Sequence, residues 1–224
     1  MQPQNTRQLA VSHGVKVLVY GPAGVGKTTL MATAPAPLLI SAEAGLLSLR
    51  NVDMPVFTIK NLDELYAVYN WITKSKEAQQ FQTIGLDSIS EIGEVCLSTA
   101  KGQTRDPRQA YGELIDRMML LMRAFRDLPN RHVYFSAKME HYKDEVTGAV
   151  KYQPSMPGKQ LGPAMPYMFD EVFHMGVGKD DQGKEYRYLR TALDHQYDAK
   201  DRSGALDPFE PPDLTHIFNK IQGV

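Results

Sequence analysis

The sequence contains a single cysteine, Cys96, among 224 residues. One thiol excludes a disulfide within the chain, and such sparse use of cysteine fits a reducing cytoplasm. No run approaches eighteen apolar residues, which argues against a membrane span, and no charged-then-apolar leader precedes the first predicted strand, so we expect no export signal. The sequence also lacks internal repeats and long Ser/Gly linkers. We therefore expect one domain over residues 15–224, after a flexible segment of residues 1–14.

The sequence also has little net charge. Its formal charge is −1 at pH 7, so the molecule as a whole has no basic field, and any contact with nucleic acid must come from a local basic patch. The hydrophobic fraction of 42% and the charged fraction of 23% are ordinary for a soluble globular domain.

The most informative segment is glycine-rich and matches G-x-x-x-x-G-K-[ST] in full. Residues 15–20 before it are predicted to form a buried strand, and residues 29–34 after it to open a helix that stops at Pro35. Glycines let consecutive N–H groups turn toward a β-phosphate, and the helix N-terminus favours the same anion. Nine residues are predicted to contact the nucleotide: Gly21, Pro22, Ala23, Gly24, Val25, Gly26, Lys27, Thr28 and Thr29.

This segment predicts ATP and Mg²⁺ as cofactors. Lys27 would reach the β- and γ-phosphate oxygens, and the Thr28 hydroxyl would ligate Mg²⁺. Asp87 ends a predicted apolar strand, as a magnesium-organising aspartate does, and would hold the ion through a water molecule. The alternative for Asp87 is a cap on the helix that begins at Ile89, and both roles are compatible. The alternative for the loop is a chance glycine-rich turn, which the flanking strand and helix disfavour.

Glu43 is the main candidate for activating the attacking water. It follows a predicted strand over residues 37–41, and ligands bind at the carboxyl edge of an open α/β sheet. A glutamate there could orient or deprotonate the water that attacks the γ-phosphate. Glu91, one helical turn beyond Asp87, is the competing candidate, and a solvated loop charge is the structural alternative.

The spacing of the predicted elements indicates an α/β fold. Short apolar strands alternate with helices up to about residue 136, which predicts a mostly parallel sheet with helices on both faces. Residues 145–150 predict a small hairpin, and residues 154–166, rich in Pro and Gly, predict an irregular loop. Two further strand-like segments over residues 171–192 predict an antiparallel C-terminal extension.

Two segments resemble parts of RecA-type ATPases. Residues 40–46 are similar to the strand-end segment that holds the catalytic glutamate of RecA-type recombinases. The pair Lys200 and Arg202 resembles the K-x-R motif of the RadA and DnaB relatives, in which this motif reaches a neighbour's γ-phosphate. The compact chain resembles the phage-encoded single-strand annealing ATPases, which are little more than a RecA core. The resemblance implies a RecA-like P-loop core with Lys27, Glu43, Lys200 and Arg202 as catalytic residues at subunit interfaces.

A physical argument supports the pair of cations independently. Phosphoryl transfer requires positive charge on the departing phosphate, and a supplied arginine can be worth ~10³–10⁵ in rate. Lys200 and Arg202 would face the same side if their segment is extended, whereas the alternative is a turn with solvated charges. Lys138 departs from the family pattern, because RecA relatives carry a glutamine sensor at that position. Lys138 could touch the γ-phosphate directly or be an ordinary surface lysine.

Two basic segments are candidates for binding single-stranded DNA. Basic side chains neutralise phosphates, and a nearby aromatic ring can stack a base for ~1–3 kcal/mol. By position these segments correspond to the two mobile DNA loops of RecA-like proteins, as the resemblance implies, and solvated loops are the alternative. The candidate residues are Lys101, Arg105 and Arg108 in the first segment, and Lys143, Lys151 and Lys159 in the second.

The leading functional hypothesis is an ATPase that assembles on single-stranded DNA as a homo-oligomer and helps to recombine or anneal it. A single-strand-binding protein is a further expected partner, and a membrane is not. The alternatives are a small-molecule kinase on the same loop and a nucleotide-gated binding module with little turnover. Ring, filament and monomer remain open, as do strand exchange, annealing and coating.

Overall fold

The structure, a computed structural model, describes residues 5, 13–42, 46–101, 107–145, 147–157 and 161–224. The strands are β1 (Lys16–Gly21), β2 (Pro37–Ser41), β3 (Val56–Thr58), β4 (Thr83–Asp87), β5 (His132–Lys143), β6 (Val150–Ser155), β7 (Glu171–Lys179), β8 (Glu185–Arg190), β9 (Lys200–Asp201) and β10 (Phe209–Glu210). The α-helices are α1 (Lys27–Met31), α2 (Leu62–Lys74), α3 (Ile89–Lys101), α4 (Pro107–Arg126), α5 (Leu161–Met168) and α6 (Leu214–Gln222).

These strands form one sheet in the order β3-β2-β4-β5-β1-β7-β8-β10. Neighbours from β3 to β7 run parallel, whereas β8 and β10 continue the sheet antiparallel. Strand β6 pairs with the second half of β5, and β9 pairs with the start of β7, both antiparallel. The predicted mostly parallel sheet with an antiparallel C-terminal extension is therefore confirmed.

Helices cover both faces of the sheet, as the sequence predicts. Helices α2, α3, α4 and α5 bury apolar side chains against one face, which includes Leu18, Ile84 and Phe135. Helices α1 and α6 bury theirs against the opposite face, which includes Val19 and Phe173. Strand β1 is buried along its whole length, and such central parallel strands are stabilised by apolar packing on both sides.

Two predicted boundaries are wrong. Strand β5 continues to Lys143 instead of ending near Ser136, because its second half pairs with β6 and forms a two-stranded hairpin. The predicted irregular loop over residues 154–166 contains the end of β6 and part of helix α5. Leu161 and Met165 of α5 are buried in the core, and this packing outweighs the low helix propensity of Pro166 inside the helix.

No helix among the described residues is both long enough and apolar enough to cross a bilayer.

Candidate nucleotide site

The glycine-rich loop joins the carboxyl end of β1 to helix α1, as predicted. Gly24 and Gly26 have φ angles of 76° and 108°, a backbone region that side chains with a Cβ rarely adopt. These angles bend the chain so that it turns back into helix α1, which begins at Lys27 without a side-chain cap. The open helix N-terminus is a place where an anion is favoured.

Lys27 folds back over this loop. Its Nζ donates hydrogen bonds to the carbonyl oxygens of Gly21 at 2.8 Å and of Pro22 at 3.0 Å. The buried Tyr134 hydroxyl donates to the Lys27 carbonyl at 2.8 Å, which fixes the first turn of α1 to strand β5. Burial and the nearby Asp87 raise the pKa of Tyr134, so this hydroxyl stays protonated and remains a donor.

Asp87 lies at the same edge of the sheet, at the carboxyl end of β4. The Ser136 hydroxyl donates a hydrogen bond to Asp87 Oδ1, and this contact orients the carboxylate. Asp87 and the glycine-rich loop, called the phosphate loop below (residues 21–28), line one open cavity of about 770 Å³, a size that suits a nucleotide. The predicted residues that line it are Gly21, Pro22, Ala23, Gly24, Gly26, Lys27, Thr28, Thr29 and Asp87. The predicted contact Val25 does not line it, because its side chain is buried in the core.

The donor set at this cavity fits a magnesium nucleotide. Thr28 and Asp87 supply oxygen ligands, which Mg²⁺ prefers, and Mg²⁺ is commonly held by one or two protein groups together with substrate phosphates. Among the described residues, no three or more His, Cys, Asp or Glu side chains lie together so that they could hold a metal ion by themselves.

Lys138 also lines the cavity, and two carboxylates hold it. Its Nζ contacts Glu91 Oε2 at 2.7 Å and Glu94 Oε2 at 2.9 Å. Although burial opposes it, these hydrogen bonds raise the pKa of Lys138. Glu91 is therefore paired with a lysine, which weakens it as the competing candidate for activating water.

Arg187 lines the cavity as well, and the sequence analysis missed it. It lies on β8, opposite Val177 of β7, within the segment that the sequence predicts only as part of the antiparallel extension. The one signal in the sequence was alternation, because a strand over residues 185–190 places Arg187 on the same face as the buried Leu189. Its position next to the phosphate loop depends on strand pairing that the sequence did not reveal.

Lys200 and Arg202 lie at the opposite edge of the sheet from the phosphate loop. Strand β9 pairs with the first residues of β7, and Glu171 there is level with Val17 of β1. Val17 precedes Gly21 by four residues, or about 13 Å along a strand. Neither Lys200 nor Arg202 lines the cavity formed by the glycine-rich loop and Asp87 of the same chain.

The segment that carries these cations is held by local contacts. Lys200 Nζ donates to the Pro166 carbonyl at 2.7 Å, and Arg202 contacts Asp170 at 2.8 Å. Burial, with the neighbouring Arg202, lowers the pKa of Lys200. The buried Glu171 accepts a hydrogen bond from the Ser203 amide at 3.2 Å. Burial, with the nearby carboxylate of Asp201, raises the pKa of Glu171 to about 8.

The raised pKa of Glu171 predicts a stability that falls as the pH rises. Its ordinary value is 4.5, so between pH 4.5 and 8 the folded protein holds a proton that the unfolded chain releases. The stabilisation is present at low pH and is lost through this window. Glu171→Gln is neutral at every pH and should not lose this stabilisation. At pH 8.5 its free energy of unfolding should therefore exceed that of the wild type by on the order of 2–4 kcal/mol. Denaturant unfolding at pH 6.0 and 8.5 measures this.

Glu185→Gln is the matched control, because that glutamate is 68% exposed and should not alter the pH dependence. Equal pH dependence in the wild type and Glu171→Gln would show that Glu171 is ionised in the folded protein.

The DNA-binding candidates that fall among the described residues lie near the carboxyl edge of the sheet. The hairpin formed by β5 and β6 carries Lys143 and Lys151, and Lys151 lies 3.7 Å from Asp144. The pairing of β5 with β6 begins at Lys138, which is level with Gly21 at the end of β1. The hairpin therefore extends beyond the sheet edge at which the glycine-rich loop lies. Lys101 ends helix α3, where Thr99 donates to the carbonyl of Lys60, just after β3.

Five candidate residues lie wholly or partly outside the described part of the chain. Glu43, Arg105 and Lys159 lie outside the described residues. Lys101 and Arg108 are described only by their backbone, at the end of α3 and in the first turn of α4.

Comparison with protein families gives one match, to a family described as an AAA domain, over residues 13–203. No curated protein matches the sequence. Among solved structures, a KaiC-like protein from the hyperthermophilic archaeon Pyrococcus horikoshii OT3 is 13% identical, with a TM-score of 0.43 over 79% of this chain and 77% of that one. A RadB recombinase is 15% identical (TM-score 0.44, 83% and 94% covered). The flagellar accessory protein FlaH from Methanocaldococcus jannaschii is 9% identical (TM-score 0.45, 89% and 84% covered).

Proposed function

This chain belongs to the AAA-domain family of P-loop ATPases, and we propose that it couples ATP hydrolysis to the binding of single-stranded DNA. The proposed protein works as a homo-oligomer and promotes annealing or recombination of the bound strands, in the manner of the phage-encoded annealing ATPases that its sequence resembles. A single-strand-binding protein would supply or receive the strand.

One observation carries this proposal. The root of the β5–β6 hairpin, Lys138, lines the same cavity as Lys27 and Asp87. Lys138 lies level with Gly21 on the neighbouring strand, so the proposed phosphate site is adjacent to the base of the hairpin, which would couple the two. The hairpin in turn carries the basic residues Lys143 and Lys151.

The positions of the side chains support the proposed phosphate-binding roles. The loop amides and the N-terminus of α1 would surround the phosphate chain, and Lys27 would exchange its contacts with the Gly21 and Pro22 carbonyls for phosphate oxygens. Thr28 and Asp87 would hold Mg²⁺, and Ser136 orients Asp87. The metal, when bound, neutralises charge on the β- and γ-phosphates.

Activation of water and completion of the site are assigned to other segments. We propose Glu43 as the base, since Glu91 is engaged with Lys138. Lys200 and Arg202 are proposed to act on the nucleotide of a neighbouring protomer, because both are remote from their own cavity and Arg202 is 62% exposed. Positive charge supplied in this way stabilises the departing phosphate.

ATP turnover by the wild-type protein should rise about fivefold or more when single-stranded DNA is added. The double variant Lys143→Ala/Lys151→Ala should bind an oligonucleotide about tenfold more weakly, with a salt dependence reduced by about one to two charges, because two phosphate contacts are lost. Phosphate release and fluorescence anisotropy over a salt series measure the two effects.

The matched control is Lys74→Ala/Lys76→Ala, which removes two exposed lysines where α2 ends, at the opposite edge of the sheet. It should bind the oligonucleotide like the wild type. Turnover that is indifferent to DNA but yields a phosphorylated nucleoside would replace the proposal with a kinase. Tight ATP binding with negligible turnover under both conditions would replace it with a nucleotide-gated binding module.

A further inference from the structure

We propose that Arg187 binds the β-phosphate of the nucleotide held by its own chain. The inference rests on the proposed nucleotide site and adds a cation from the antiparallel extension to the phosphate loop. It differs from the roles given to Lys200 and Arg202, which require a second protomer.

The position of Arg187 is set by the register of β7 and β8. Arg187 pairs with Val177 and Leu189 pairs with Met175, so all four side chains lie on the sheet face covered by α1 and α6. Met175 and Leu189 are buried, whereas Arg187 is nearer the carboxyl edge of β7 and is exposed. Its side chain therefore leaves the core at the level of the phosphate loop.

The stem of Arg187 lies directly against Gly26. A Cβ on Gly26 would stand 3.5 Å from both Cδ and Nε of Arg187, and 3.3 Å from Cε of Met175. A Cβ at Gly26 would thus be in ordinary van der Waals contact with the arginine, which shows that the arginine stem lies next to the loop backbone. Because Gly26 immediately precedes Lys27 in the loop that would turn its amides toward the β-phosphate, the guanidinium is within reach of that part of a bound phosphate chain.

The charges around the cavity support the same assignment. Lys138 is paired with Glu91 and Glu94. Arg187 lines the cavity without a carboxylate partner among the described residues, whereas Arg190 on the same strand is paired with Asp194 at 2.7 Å. An exposed guanidinium beside an anion-binding loop is suited to phosphate oxygens, which it can contact with two parallel N–H groups.

Nucleotide binding by Arg187→Gln tests the proposal, because glutamine keeps part of the stem over Gly26 and removes the charge. The affinities for ATP and for ADP should both fall about 10–100-fold, since each loses a charge-assisted hydrogen bond. The affinity for AMP, which has no β-phosphate, should stay within about twofold of the wild-type value. Titration of fluorescent or unlabelled nucleotides by calorimetry gives the three constants, and Arg187→Lys should recover part of the loss.

Lys184→Ala is the control, because it removes an exposed cation from the turn of the same hairpin. It should bind all three nucleotides like the wild type. Equal affinities of Arg187→Gln and wild type for ATP and ADP would overturn the role of Arg187 and leave the nucleotide site standing. An equal loss for AMP would overturn the assignment to the β-phosphate. A wild-type protein that binds neither ATP nor ADP would overturn both the site and this inference.

Discussion

Arg202→Ala is expected to lower steady-state ATP turnover by about 10³-fold or more, while the Kd for ATP changes less than about threefold. Arg202 lies at the opposite sheet edge from its own phosphate loop, so its loss leaves that loop intact. Its ion pair with Asp170 is exposed, and such pairs contribute little to folding. Phosphate release measures turnover, and titration with a fluorescent ATP analogue measures binding.

The control for this variant is Arg117→Ala, which breaks another exposed ion pair, with Asp63 at 3.4 Å. It should leave both turnover and binding unchanged. Wild-type turnover in Arg202→Ala would remove Arg202 from the reaction and with it the proposed contribution of a neighbour.

Lys27→Ala is expected to weaken ATP binding strongly and to lower turnover by ~10²–10³-fold. Lys27 is the lysine of the loop itself, and its Nζ lies on the Gly21 and Pro22 carbonyls where the phosphates are proposed to bind. The fold should persist, because the Tyr134 hydroxyl contacts the backbone carbonyl of Lys27 and not its side chain. Calorimetric titration with ATP and a turnover assay check this prediction.

Lys60→Ala is a suitable control, because Lys60 is an exposed lysine that follows β3 at the same sheet edge. It is expected to bind ATP like the wild type. Retention of wild-type affinity by Lys27→Ala would mean that the glycine-rich loop is not the nucleotide site.

The parts of the site that follow each other along the chain could be predicted from the sequence. The loop was predicted between a buried strand and a helix, because its own glycines and the apolar run directly before it are sufficient to indicate these elements. Asp87 was predicted at a strand end because it follows the largely apolar run of residues 81–86, and the structure places it at the end of β4. The parallel sheet also follows from local alternation of strands and helices.

The parts that depend on distant pairing could not be predicted. Arg187 reaches the loop through the register of β7 with β8 and of β7 with β1. The partners of Lys138 come from helix α3, more than forty residues earlier in the chain. Helix α5 forms although Pro166 disfavours it, because tertiary packing of Leu161 and Met165 outweighs local propensity.

Mixed assemblies of two inactive variants test most directly whether ATP is hydrolysed between neighbouring protomers. Lys27→Ala and Arg202→Ala, carrying different affinity tags, are co-expressed and purified through both tags, and their turnover is compared with that of each variant alone. An intact loop then meets an intact Arg202 at about one interface in four in a large assembly and at one in two in a dimer, so recovery of about a quarter to a half of wild-type turnover is expected. Mixed assemblies that turn over no faster than either variant alone would contradict hydrolysis between protomers.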